Sequence, residues 1–125
     1  MLSSQIIAGD FLLGDPTIYF DVDNTLVMWG LEDNPNAMSF TFNGSVFKLV
    51  PHTEHIEFLK DKKTDGFKIV VWSAGSETWA KEVINILGIS SFVDHAISKP
   101  MFHVDDLPSN EILHPHRHIY FPFQK

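Results

Sequence analysis

The 125-residue chain has no cysteine, so neither a disulfide framework nor a thiolate metal site is open to it. Basic residues are scarce: 9 Lys+Arg against 16 Asp+Glu give a formal net charge of −7. Such a surface disfavours a non-specific nucleic-acid coat or an anionic-membrane binder and leaves room only for a local basic groove. The 7 histidines would offset part of that charge at mildly acid pH. No apolar run is long enough to span a bilayer. The N-terminal patch Ile6–Leu13 is broken by Gly9 and Asp10 and has no basic residue before it, which makes a poor signal peptide. A soluble, cytoplasmic protein is expected. Repeats, low-complexity tracts and linkers are also lacking, so residues 1–125 read as one domain able to bury its own core.

What is present centres on Tyr19-Phe20-Asp21-Val22-Asp23-Asn24-Thr25-Leu26-Val27. An apolar run, Thr17 to Phe20, ends in two carboxylates one residue apart. Alternate residues of an extended chain share a face, so Asp21 and Asp23 can both serve one site at the strand end. Two neighbouring carboxylates repel unless a proton or a cation separates them. That suits metal-assisted chemistry better than mere structure.

The rest of the chain alternates strands and helices. Thr17–Asp21 reads as a buried central strand. Met38–Phe42 and Ser45–Val50 flank Asn43-Gly44, a strong hairpin signal, and Pro51 ends the second run. Thr53 is the expected N-cap of a helix over Glu54–Lys63 with Ile56, Phe58 and Leu59 inward. Phe67–Ser73 is a second strand, and Ser76 caps a helix over about Glu77–Leu87 that Gly88 stops. On that helix Trp79, Val83, Ile86 and Leu87 are spaced for a core face. Short apolar runs follow at Ala96–Ser98, Phe102–Val104 and Ile119–Phe121, with helical turns expected near Pro108–Leu113. Residues 1–16 stay ambiguous between strand and helix. The alternation predicts a mostly parallel sheet flanked by helices, with strand C-termini along one edge, where ligands bind.

Polar groups follow each apolar strand: Asp21 and Asp23, Ser73, Lys99, then Asp105 and Asp106. Four clusters on one edge would make a site. Oxygen ligands without cysteine or histidine favour Mg²⁺ over Zn²⁺. Ser73, Lys99 and the helix start near Ser76 would hold an anion of phosphate size. A metal, a phosphate cradle and a spare carboxylate outline phosphoryl transfer, with one Asp as nucleophile and the other as acid and base.

The set resembles the haloacid dehalogenase superfamily of phosphohydrolases over residues 17–107. Asp21-Val22-Asp23-Asn24-Thr25-Leu26-Val27 matches its first motif, Ser73 the second, Lys99 in Ile97-Ser98-Lys99-Pro100 the third, and Asp105-Asp106 the fourth. The resemblance implies a Rossmann-like three-layer α/β/α sandwich with a hairpin flap after the first strand, at about 38–50. It implies Asp21 as nucleophile, Asp23 as acid/base, and Ser73, Ala74 and Lys99 as substrate-binding residues. Asp21, Asp23, Asp105 and Asp106 would hold Mg²⁺. About 25 residues separate the first motif from the first helix, too few for a cap domain, so a capless member is implied. Only 19 residues follow Asp106, leaving little for a last strand and helix.

Competing readings are weaker. A calcium loop needs glycine where Leu26 stands. His103, His114, His116 and His118 suggest zinc, but Pro115 and the missing acidic partner favour an exposed tail or pocket rim. Trp29, Trp72 and Trp79 read as core or flap residues. The expected function is a Mg²⁺-dependent phosphomonoesterase acting through an aspartyl-phosphate on a small phosphorylated metabolite or nucleotide. The alternatives are a phosphatase for a nucleic-acid end or a phosphoprotein, and a non-catalytic partner-binding domain. The expected partner is a phosphorylated substrate, not a membrane; nucleic acid is disfavoured, and a homo-oligomer is left open.

Overall fold

A computed structural model describes residues 15–124 of the chain; the ambiguous segment 1–16 lies almost wholly outside them. Two small sheets form among the described residues. The first is parallel, in the order β1 (Thr17–Asp21), β5 (Lys68–Ser73), β6 (His95–Ser98), with Asp21 beside Trp72 and Ser73 beside Ser98. The second is antiparallel and joins β2 (Val27–Met28), β4 (Ser45–Pro51) and β3 (Met38–Phe42) in that order.

The hairpin turn sits where expected. Asn43 and Gly44 both take positive φ, 52° and 78°, the geometry that matches the twist of paired strands. Phe40 faces Phe47 across it, and Phe40 is fully buried.

Helix α1 (Thr53–Thr64) buries Ile56, Phe58 and Leu59 as expected. Its cap differs from expectation. His52, not Thr53, is the N-cap, and its ring accepts from the backbone N–H of His55. The chain's first helical residue is Thr53, so its hydroxyl comes one position too late to cap.

Helix α2 (Glu77–Leu87) is capped by Ser76 and ends at Gly88, as the sequence predicts. Trp79 and Val83 are buried, but Ile84 takes the inner position expected of Ile86 and Leu87, which are half-buried.

Residues of both long helices join one core with Phe20, Ile69 and Val71. By strand alternation Tyr19, Asp21, Val70 and Trp72 point to the opposite face. Burying each large apolar side chain of that core contributes about 1.5–3 kcal/mol. The parallel sheet with three helices, counting the short α3 (Ser109–Ile112), is a small α/β fold. A third layer over the Tyr19 and Trp72 face is not built by α1 or α2.

The C-terminal part departs from expectation. Phe102–Val104 forms no strand and stands fully in solvent, as do Met101 and both following aspartates. Ile119–Phe121 is likewise not a strand. Pro100 cannot donate to a ladder, so β6 pairing stops before it. The outer edge of β1 is left without a partner strand among the described residues. No helix of these residues is long and apolar enough to cross a membrane.

Candidate active site

The chain turns sharply just after β1. Backbone N–H groups of Thr25, Leu26 and Val27 all bond the carbonyl of Val22, while Asn24 adopts φ +60°, which its short polar side chain tolerates. This turn holds Asp21 and Asp23 at the strand's carboxyl end.

Asp21 is half-buried. One carboxylate oxygen pairs with Lys99 Nζ at 3.1 Å, and the other accepts from the Thr25 hydroxyl at 3.2 Å. Lys99 is placed twice over. Its backbone N–H donates to the Ser73 carbonyl at 2.9 Å, and its ammonium lies 5.9 Å from the Trp72 ring centroid.

Asp23 is bound differently. Its Oδ1 accepts from two indole N–H groups, Trp29 Nε1 at 2.8 Å and Trp79 Nε1 at 3.0 Å. Among the described residues its Oδ2 has no hydrogen-bond partner.

Ser73 is fully buried at the end of β5, and its Oγ accepts from the backbone N–H of Gly75 at 3.0 Å. A Cβ at Gly75 would come within 3.2 Å of that Oγ, a tight contact that the hydroxyl would have to ease by a few tenths of an ångström. Ala74 is exposed between them.

Asp105 and Asp106 are not brought to this group. Both are exposed; Asp105 accepts from the Leu107 N–H at 3.0 Å, and this bond, then Asp106, holds its carboxyl below the usual range. Among the described residues no three His, Cys, Asp or Glu side chains are grouped to hold a metal. Of the four clusters, the contacts join Asp21 to Lys99 and the Lys99 backbone to Ser73, with Asp23 two residues beyond Asp21. The expected donor set is thus split among the described residues, with Asp21 and Asp23 at the end of β1 and Asp105 and Asp106 in solvent.

Three contributors escaped the sequence reading: Thr25, Trp29 and Trp79. Thr25 stood inside the first motif without a role. Trp79 joins the core, as its core or flap reading expects; that reading does not include the acceptor its indole N–H needs, and nothing in the sequence says which group supplies it.

A cavity of about 760 Å³ opens beside Asp21 and Lys99, lined also by Tyr19, Trp72, Arg117 and Tyr120. Tyr19 and Trp72 meet with ring centroids 4.5 Å apart. His114 and His118 sit on its wall, as the pocket-rim reading expects; a 3-10 turn at Pro115–Arg117 separates them and brings the His114 and His116 Nδ1 atoms to 2.8 Å.

A scan against known protein families matches residues 16–107 to the NLI interacting factor-like phosphatases. The chain belongs to that family. It is a haloacid-dehalogenase-like phosphatase family, so the resemblance carried by the four motifs holds, and phosphatase activity goes with it. A search of curated proteins returned no match.

Proposed function

We propose that this phosphatase hydrolyses phosphomonoesters through an aspartyl-phosphate on Asp21. The observation that carries the reading is the pairing of Asp21 with Lys99 at 3.1 Å, with Asp23 held two residues on. Asp21 attacks phosphorus as the ester P–O bond breaks, and Asp23 gives its proton to the leaving oxygen, releasing the alcohol. Water then attacks the aspartyl-phosphate, its proton passes to Asp23, and phosphate departs with Asp21 restored. Lys99 offsets charge on the phosphoryl oxygens.

Ser73 and Ala74 are proposed to cradle the phosphate, on the support of their position at the carboxyl end of β5, which Ser73 ends and Ala74 follows. Mg²⁺ is the expected cofactor on charge grounds, since one lysine does not offset an ester dianion beside the Asp21 carboxylate. The hairpin β3–β4 is proposed as the flap, and the fold as the three-layer type.

A small phosphorylated metabolite or nucleotide suits a cavity of about 760 Å³, within the range of about 300–1,000 Å³ usual for small-molecule sites. A phosphoprotein is the second reading. Met101, Phe102 and Val104, exposed next to Lys99, offer apolar contact to a larger substrate.

The test is release of phosphate from p-nitrophenyl phosphate with Mg²⁺ present, compared between the native chain and Asp21→Asn. Activity lost in the variant supports the reading. Equal activity in both, or none in the native protein, overturns it.

A further inference from the structure

Two indoles from distant parts of the chain end on one carboxylate oxygen, and this arrangement has a chemical consequence. We infer that Trp29 and Trp79 are positioning residues that restrict the proton carried by Asp23 to Oδ2. The inference rests on the reading of Asp23 as the acid/base.

Indole Nε1–H is a donor only, so neither tryptophan can accept a proton or turn its hydrogen bond around. With N–H donors at 2.8 and 3.0 Å, Oδ1 of Asp23 is occupied, whereas Oδ2 has no partner among the described residues. A proton on Oδ1 would compete with two indole N–H groups for that oxygen, and one of them belongs to the buried Trp79. The same two bonds fix the carboxylate plane. In both half-reactions the proton therefore leaves from, and returns to, one oxygen in one orientation.

The indoles are themselves held from several sides. The Trp79 backbone N–H donates to the Ser76 hydroxyl that caps α2, at 2.9 Å. Its ring lies 5.2 Å from Phe42, 6.2 Å from Phe47 and 6.4 Å from Phe40, all on the hairpin. The Trp29 ring packs 5.3 Å from Phe47 and 6.4 Å from Trp79, and its backbone N–H donates to Asn24 Oδ1 at 3.1 Å. The hairpin thus reaches the chemistry through an aromatic cluster that aims two N–H groups at Asp23. That assigns β3–β4 a role in proton placement.

The experiment uses leaving groups that differ in their need for a proton. kcat/KM is measured for p-nitrophenyl phosphate, whose leaving group departs readily, and for glycerol phosphate, whose alkoxide must be protonated. The proteins are the native chain, Trp29→Phe, Trp79→Phe, the double variant and Asp23→Asn. General acid catalysis is worth about 10²–10⁴-fold, so the double variant is expected to lose about tenfold or more on glycerol phosphate and under about threefold on p-nitrophenyl phosphate. An equal loss on both substrates means that the indoles only hold the fold, and no loss on either means that they do not act; each overturns the inference. Trp29 is 39% exposed, so Trp29→Phe carries the test if Trp79→Phe does not fold. If Asp23→Asn itself hits both substrates equally, the acid/base reading has failed and the inference falls with it.

Discussion

His52 and His55 stack face to face, their ring centroids 3.7 Å apart and their planes 13° from parallel, with both side chains buried. Each ring faces one carbonyl and one N–H. His52 Nε2 meets the Phe121 carbonyl at 2.7 Å and its Nδ1 accepts from the His55 N–H at 3.3 Å. His55 Nδ1 meets the Thr25 carbonyl at 2.7 Å and its Nε2 accepts from the Phe121 N–H at 2.9 Å. These partners define two neutral tautomers. They also tie the C-terminal segment and the turn after β1 to the start of α1.

Acid should undo this tie. Burial holds the His55 pKa below its ordinary value of about 6.5, with the Thr25 carbonyl opposing and His52 assisting. Glu54 pulls the other way, and the Tyr120 ring packs 4.9 Å from His55. The unfolded chain then binds the proton first, so stability is full above about pH 6.5 and falls as the pH drops below it. The slope for one histidine is at most about 1.4 kcal/mol per pH unit. Urea denaturation from pH 8 to pH 5 is expected to show a steeper loss in the native chain than in His55→Gln. Parallel pH profiles would refute the tie.

Lys99 should matter to rate more than to stability. Its ion pair with Asp21 is partly exposed, and such pairs contribute about 0–1 kcal/mol. Removing an electrostatic donor from a reacting centre costs about 10²–10³-fold in kcat. Lys99→Met is therefore expected to melt within a few degrees of the native protein while losing about a hundredfold in kcat. Near-native turnover would remove Lys99 from the site.

Gly75→Ala is expected to disturb phosphate binding with a modest change in fold. The added Cβ meets Ser73 Oγ at 3.2 Å and the Trp79 ring at 3.6 Å, so the buried hydroxyl must give way. If the turn after β5 cradles phosphate, KM rises more than kcat falls. An unchanged KM would place the phosphate elsewhere.

The metal can be tested apart from the protein chemistry. Chelation is expected to abolish activity and Mg²⁺ to restore it, and Asp105→Asn should raise the Mg²⁺ concentration needed for half-maximal rate. Asp105 stands in solvent away from Asp21 in this structure, so an unaffected Mg²⁺ requirement in that variant would mean that its exposed position is its working one.

The parts of this fold that were legible in the sequence are those governed by neighbouring residues. Asn43-Gly44 defines its own turn, and Ser76 and Gly88 bracket α2 through hydrogen bonds reaching only a few residues. The cap of α1 was not legible, because an imidazole acts where Ser, Thr, Asp or Asn is the usual signal. Phe102–Val104 reads as a strand by composition, yet strand formation depends on finding a partner edge, which no local pattern supplies. In the site, the juxtaposition of Asp21, Ser73 and Lys99 follows from strand ends in a parallel sheet. The bond from Trp79 to Asp23 spans 56 residues and depends on how the hairpin packs on α2. Only the fold could reveal it.

The central claim is a covalent phosphoryl group on Asp21. The direct measurement is to mix the protein with a phosphomonoester substrate, quench within milliseconds, reduce with borohydride and locate the modified residue by mass spectrometry. An aspartyl-phosphate is reduced at its acyl carbon, so homoserine at position 21, absent without substrate, is the predicted result. Turnover with unmodified Asp21, or with homoserine at another aspartate, would contradict the account.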